Sequence, residues 1–541
     1  MFAHLIIDVA TDPSISLPEV KVALIQPMKA KKRKKLPLPE GAERIIIATC
    51  ETGETEDFDA MKDIKSDVDV VKKANPNYSE YASNKVFRSP KANLVADPLP
   101  KRVFTAKGKR RRERMQKRSS IRIGIPRVLN MYSLNPLFAG YFEALGIKPR
   151  NLIYSDFTNE ELYKSGTKRG SIDPCFPSKV GIPHVHNLLF VKHKKWPLDY
   201  IFFPMVDALP SIIDTGGTSR ACPTVQMTPD VVKAAFTQED HVFNDLGITY
   251  LSTFTDPGEP ELFTTQMYDE FKDILGVSKA ENARAVNEGF RCLQAFYDTM
   301  RSKAIHTLEE LEANNGIGVV VLGRPYHNDP GITHDIFEEF QIRGYPVFTI
   351  DSLPINHPLT DQLFADDVAN GVIKTPMDID DVWKNSYSEN TNRKIWAAKF
   401  TARHPNLVAL EMSSFKCGHD APIYATVEEI IEKSGTPYFC FKDLDENKPA
   451  GSIKIRIETI EYFLKRYQDT LAKRKKKEQY VSDELSKYKA KLYRDLAGSM
   501  GDNSQTISPR VALDGAQEPS LERPPTQKPV AEQRVPETMD S

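Results

Sequence analysis

No run of 18 apolar residues occurs in this chain of 541, so no segment reads as a membrane-spanning helix. Cysteine is scarce, six residues in all, and none forms a close pair, which excludes a disulfide framework and fits a reducing compartment. Charge of one sign is lacking too: 73 Lys and Arg against 74 Asp and Glu leave a formal net charge of −1, with no overall pull toward nucleic acid or an anionic membrane. The opening stretch MFAHLIIDVATDPS has neither a charged n-region nor a small-residue cleavage site, and the expectation is a cytoplasmic protein. What the chain does have is length and apolar content, 40% hydrophobic residues, enough for two or three domains with a real core.

Residues 1–119 read as a poorly packed extension with two basic linker runs, KAKKRKK (29–35) and KGKRRRERMQKR (107–118). Neither run carries the interleaved aromatics of a nucleic-acid surface. Between them IIIATC closes a strand at Cys50, with no second cysteine nearby to make a local metal knuckle. From 120 the pattern changes. IRIGIPR (121–127) reads as a strand, Asn135 as the cap of a helix with Pro136 in first position, and NLIYSD (151–156) as the next strand; strand, helix, strand predicts a parallel sheet. The loop GSIDPCFPSK (170–179) delivers Cys175, DYIFFPMV (199–206) makes another strand, and RACPTVQ delivers Cys222. Helices over 261–275 and 281–314 close this first α/β domain, 120–315.

A second α/β domain, 316–470, opens with the strand 319–322, after which Gly323 permits a sharp turn. GYPVFTID (344–351) and TPYFCFK (436–442) read as further strands and 452–467 as a terminal helix. From 471 a Lys/Glu-rich helix gives way to a Pro-, Ser- and Gln-rich tail that cannot bury a core.

The organising stretch is LVALEMSSFKCGHDAPIYATVEEII (407–431). Its first four apolar residues suit a strand covered on both faces. Asp420 is expected to cap a helix with Pro422 in its first turn and Ile423, Val427, Ile430 and Ile431 on its buried face. Cys417 then lies between a strand's carboxyl end and a helix amino end, where a thiolate is favoured and its pKa lowered.

Cys175, Cys222 and Cys417 thus share a setting, in loops beside Pro or Gly, whereas Cys292 falls in a helical pattern and Cys440 in a strand, as core residues do. Three soft ligands converging across a cleft select zinc or an iron–sulfur cluster. Structural zinc draws close CxxC-type pairs, which these separations do not supply; three thiolates on a cubane leave one iron for substrate, solvent or a partner, with His419 a weaker fourth candidate. Arg324, Tyr326, His327 and Asn328 stand beside the Gly323 turn, placed either to meet a substrate or CoA phosphate or simply to bond their own loop. His184 and His186 near Cys175 read as structural histidines, with His184 also weighed as a proton donor; Asp173 and Lys179 read as a pair or caps. DTGGTS (214–219) is superficially similar to one phosphate-binding turn of actin-like ATPases, a fold that needs two.

The motifs IRIGIPRVLNMY, SIDPCFPSKVGIPHVHNL, RACPTVQ, VVVLGRPYHNDPG, WAAKFTARHPNLVALEMSSFKCGHDAPIY and PYFCFKDLDENKPAGSIKIRIETI resemble the acyl-CoA dehydratase activase-related family, over roughly residues 44–470. That family belongs to the 2-hydroxyglutaryl-CoA dehydratase and benzoyl-CoA reductase system, in which an ATP-dependent activase passes a low-potential electron to an iron–sulfur partner. The resemblance implies two doubly wound parallel-sheet α/β domains facing each other across a cleft, and maps Cys175, Cys222 and Cys417 onto three cluster ligands. It implies a 4Fe-4S cluster, an activase partner, anaerobic electron transfer and, if the chain turns over, radical dehydration or reduction of an acyl-CoA. Large family members carry two ATPase domains ahead of this region, and none is recognisable here. That departure keeps open a non-catalytic activase-binding subunit or scaffold, beside a structural zinc protein.

Overall fold

The computed structural model describes residues 4–10, 42–48, 58–170, 175–213, 219–238, 241–414, 416–444 and 450–499. Cys50, Asp173, the first basic run, the Asp-Thr-Gly-Gly-Thr turn at 214–218 and the tail from 500 lie outside them. The chain divides into two compact units, Met1–Ala472 and Lys473–Ser541.

Strands β1 (His4–Ala10) and β2 (Ala42–Ala48) form an antiparallel pair. The first unit is then built on two four-stranded parallel sheets. One contains β3 (Ile123–Ile125), β4 (Leu152–Tyr154), β5 (Tyr200–Phe202) and β7 (Thr249–Leu251) in the order β4-β3-β5-β7. A two-residue extension, β6 (Met205–Val206) beside β8 (Phe254–Thr255), follows it. The other contains β9 (Gly318–Leu322), β10 (Val347–Thr349), β11 (Leu407–Met412) and β12 (Tyr438–Phe441) in the order β10-β9-β11-β12. Each sheet runs second, first, third, fourth in chain order, so each reverses direction between its first and third strands. Outside the carboxyl ends at such a reversal is where open α/β sheets bind ligands.

The second sheet is covered on both faces, and the period-two rule sorts its side chains. Val320, Leu322, Leu407 and Ala409 enter one buried cluster with Trp396 and Phe348, while Val319, Val321, Val408, Leu410 and Met412 enter another under Ile453, Ile457 and Leu464 of the last helix. That explains why β9 and the first four residues of β11 read as apolar runs. Helix Lys279–Asn314 joins the sheets: Ala285, Val286 and Leu293 belong to the first core, Met300, Ala304, Leu308 and Leu311 to the second. A Ser278/Glu281 capping box starts it and left-handed Asn315 ends it.

Within the stretch expected to pack poorly, helix Tyr78–Val86 buries Tyr78, Ala82 and Val86. The second basic run is helix Ala106–Lys117, and just beyond it Arg118 is buried against Glu281 at 2.6 Å. The helix expected to begin at Asn135 begins at Met131 instead. Met131, Tyr132 and Leu134 are apolar enough to go inside, so the helix starts earlier and Asn135 lies fully buried within it, donating to the Val86 carbonyl at 2.7 Å and to Tyr154. The second unit's described residues continue the helix Ala450–Ser499. Among the described residues no helix is long and apolar enough to cross a membrane.

Candidate functional site

The second sheet's reversal point is where β9 and β11 end, and the two loops there meet through a buried ion pair. Arg324, two residues past β9, donates from Nη2 to Asp420 Oδ1 at 2.7 Å, and both side chains are 1% exposed. Asp420 therefore does not cap the next helix with its carboxylate. Its second oxygen accepts from Ser413 Oγ at 2.7 Å and lies 3.3 Å from the Lys394 ammonium, which in turn stands 2.7 Å from Glu411 in β11. Tyr438 donates to Glu411, and Tyr424 donates to Ser413 Oγ at 2.8 Å and to the Ser414 carbonyl at 2.9 Å. A carboxylate this buried titrates high when alone; Arg324 and then Lys394 hold Asp420 far below the usual carboxylate range. The one legible sign of this network was Glu411 itself, a charge inside a strand buried on both faces, which must find a partner.

Two of the three singled-out cysteines sit at helix starts. Cys175 is the N-cap of helix Phe176–Lys179 and Cys222 that of helix Pro223–Thr237, each followed by proline in the first turn. Neither uses its side chain as a cap, which leaves the sulfur available. Cys417 lies in the turn after β11, its own N–H bonded to the Ser414 carbonyl at 2.8 Å and its carbonyl accepting from Ala421. Backbone N–H groups of His419 and Asp420 face its sulfur, as that of Ser178 faces Cys175.

Cys175 and Cys417 line one cavity of ≈ 420 Å³, open mouth included, together with Phe176, Tyr326, His327, Ser413, Lys416 and Asp420. Cys222 and Cys417 both add to the rise in the Cys175 pKa that burial causes. The Cys222 loop is tied across the junction by Arg220, whose N–H bonds the Tyr387 carbonyl at 2.7 Å and whose carbonyl accepts from Glu389. As placed, no group of three or more His, Cys, Asp or Glu among the described residues forms a ready metal cage. The expected lowering of the Cys417 pKa is not found. Burial, and next the Asp420 carboxylate, raise it against Arg324 and the two N–H groups; burial raises Cys175 as well. Burial counts for more than the helix terminus in the metal-free protein.

The Gly323 turn combines both roles weighed for it. The Arg324 N–H bonds His327 Nδ1 at 2.9 Å, holding the loop, while Tyr326 and His327 also line the thiol cavity. Burial lowers the His327 pKa to about 3, so its ring is neutral; with Nδ1 accepting, the proton is assigned to Nε2. Asn328 and Arg324 line a neighbouring cavity of ≈ 360 Å³ with Asp351, Asn390 and Arg393. Arg324 Nε and Nη1 are buried without a partner among the described residues.

Residues 122–353 match the family model of the CoA enzyme activase uncharacterised domain. Over those residues the chain is similar to a CoA enzyme activase-related domain. The activase-related match takes in the whole first sheet, β9, β10, Cys175, Cys222 and the segment Arg324–Asn328; Cys417 lies beyond it. A comparison with curated proteins finds no match.

His184, weighed as a proton donor, is structural. It is fully buried between Ser155 Oγ at 2.7 Å and Thr158 Oγ1 at 2.8 Å, and burial lowers its pKa to about 3. His186 is half-buried against Phe190, and His419 bonds Ser388 Oγ at 3.0 Å. Cys292 is buried in its helix, and Cys440 is half-buried in β12.

Proposed function

We propose that this protein is an iron–sulfur, electron-accepting component of the kind used by ATP-dependent 2-hydroxyacyl-CoA dehydratase and activase systems, working in the cytoplasm. Cys175, Cys222 and Cys417 would hold the cluster. The observation that carries the reading is the cavity that Cys175 and Cys417, from the two α/β halves, line together, with Cys222 near enough to add to the rise in the Cys175 pKa. The donor chemistry fits: three sulfurs free of capping duty, N–H groups facing two of them, and a buried guanidinium with unpartnered donors close to Cys417. A bound cluster supplies one-electron chemistry at low potential.

The chain's own residues prepare the cavity. Tyr326 stays a phenol because burial raises its pKa, and neutral His327 presents its Nε2 hydrogen, so the wall offers two donors of the kind a thioester carbonyl accepts. Phe176 and Ile332 supply apolar lining to the same cavity. An ATP-dependent activase would deliver the electron, and an acyl-CoA would be the substrate.

Anaerobic purification with iron and acid-labile sulfide analysis tests this. The wild-type chain is expected to carry both, and each of Cys175→Ala, Cys222→Ala and Cys417→Ala to lose at least about half of the iron, since a cluster held by three thiolates is weakly retained by two. An iron-free wild type, zinc in place of iron, or a fully loaded Cys417→Ala chain would defeat the proposal.

A further inference from the structure

Behind Cys417 lies a charge network that ligation alone does not explain. Arg324, Lys394, Asp420 and Glu411 are four formal charges with side chains no more than 1% exposed, at the cost in desolvation that such burial carries. They come from the loop after β9, from helix Glu389–Arg403, from the loop after β11 and from β11 itself. Most of the network's contacts outside β11 fall on the loop that carries Cys417. Asp420 is gripped by Arg324, Ser413 and Lys394, the Ser414 carbonyl by Tyr424, and the His419 ring by Ser388. The same segment carries the two N–H groups that face the Cys417 sulfur.

We infer that Arg324 and Asp420 are positioning residues for Cys417: their ion pair clamps the loop that carries it, and the pair's charges set the electron affinity of whatever Cys417 ligates. The second half of this inference rests on the iron–sulfur reading; the first half does not. Positive charge beside a cluster sulfur stabilises the reduced, more negative state, and a carboxylate opposes it. Removing one partner of the pair therefore has a sign. Asp420→Asn leaves Arg324 and Lys394 in excess and raises the reduction potential. Arg324→Gln leaves Asp420 in excess and lowers it.

The experiment uses the full chain in two states. In the metal-free protein, hydrogen exchange of the amides in 413–421 is expected to accelerate at least tenfold in Arg324→Gln and in Asp420→Asn, while helix Lys279–Asn314 keeps its protection. In the reconstituted protein, the two variants are expected to shift the reduction equilibrium about tenfold in opposite directions, 59 mV each for one electron. A merely structural role moves both variants the same way. Unchanged exchange at 413–421, or potential shifts of equal sign, overturns the inference. If the wild type takes up no iron, the proposed function fails while the exchange measurement still decides the clamp. Should helix Lys279–Asn314 also lose protection, Arg324→Lys, which keeps the charge but not the planar fork, replaces Arg324→Gln. Exchange at 413–421 faster than wild type is then expected, and wild-type exchange overturns the clamp.

Discussion

Lys394→Met is expected to lower the free energy of unfolding by about 3–5 kcal/mol in urea titration, because it strips a fully buried cation from two buried carboxylates. The Lys394 ammonium stands 2.7 Å from Glu411 and 3.3 Å from Asp420, with Lys394 and Glu411 at 0% exposure. After the change Asp420 keeps Arg324, but among the described residues Glu411 keeps only the Tyr438 hydroxyl and the Lys442 ammonium at 3.7 Å. Burial of an ion pair stabilises little by itself; the penalty lies in orphaning one member. The double variant Lys394→Met/Glu411→Leu removes both charges and should therefore recover at least half of the loss. Equal stability of the single variant and the wild type would show that water reaches Glu411. A double variant weaker than the single one would show that packing, and not charge, holds this end of the sheet.

Acidification is expected to weaken the metal-free protein by about 3 kcal/mol between pH 7.5 and pH 5. His184 and His327 are both buried and neutral, with pKa values lowered from 6.5 to about 3. For a base whose folded pKa is depressed, stability is complete above the unfolded value and is lost as pH falls, because the unfolded chain takes up the proton first. At pH 5 each histidine thus costs about 2 kcal/mol. Asp329 works the other way. Burial raises its pKa from 3.8 to about 6 in spite of the Thr158 hydroxyl and the Gly331 N–H, so the folded state gains about 1.4 kcal/mol as pH falls from 7.5 to 5. Asp329→Asn removes that gain and should deepen the loss to about 4 kcal/mol, read as a shift of the urea midpoint. Stability that stays level or rises from pH 7.5 to 5 contradicts the buried, neutral state of both rings.

Much of the architecture was legible because it rests on nearest-neighbour rules. Val319–Leu322 and Leu407–Leu410 announce strands covered on both faces by having no polar alternation, and both are central strands of the second sheet. The loop cysteines were separable from Cys292 because a helical period surrounds the latter and Pro or Gly surrounds the former. Asn135 shows the limit. A polar residue before a proline has the form of a cap, yet the Val86 carbonyl and Tyr154, distant in the chain, supply partners that let it lie inside the helix. Asp420 is the same case with a charge: its position suits a cap, and Arg324, 96 residues earlier, takes its carboxylate instead.

The sequence by itself determined the two parallel α/β sheets and the likeness to a CoA enzyme activase domain over 122–353, and it singled out three loop thiols, since periodicity, punctuation and residue chemistry are local properties. Only the tertiary structure decided that helix Lys279–Asn314 belongs to both cores, that the Cys417 thiol is raised and not lowered, and that four buried charges stand behind it. Those outcomes depend on desolvation and on pairing between segments far apart in the chain, and neither quantity exists until the chain has folded.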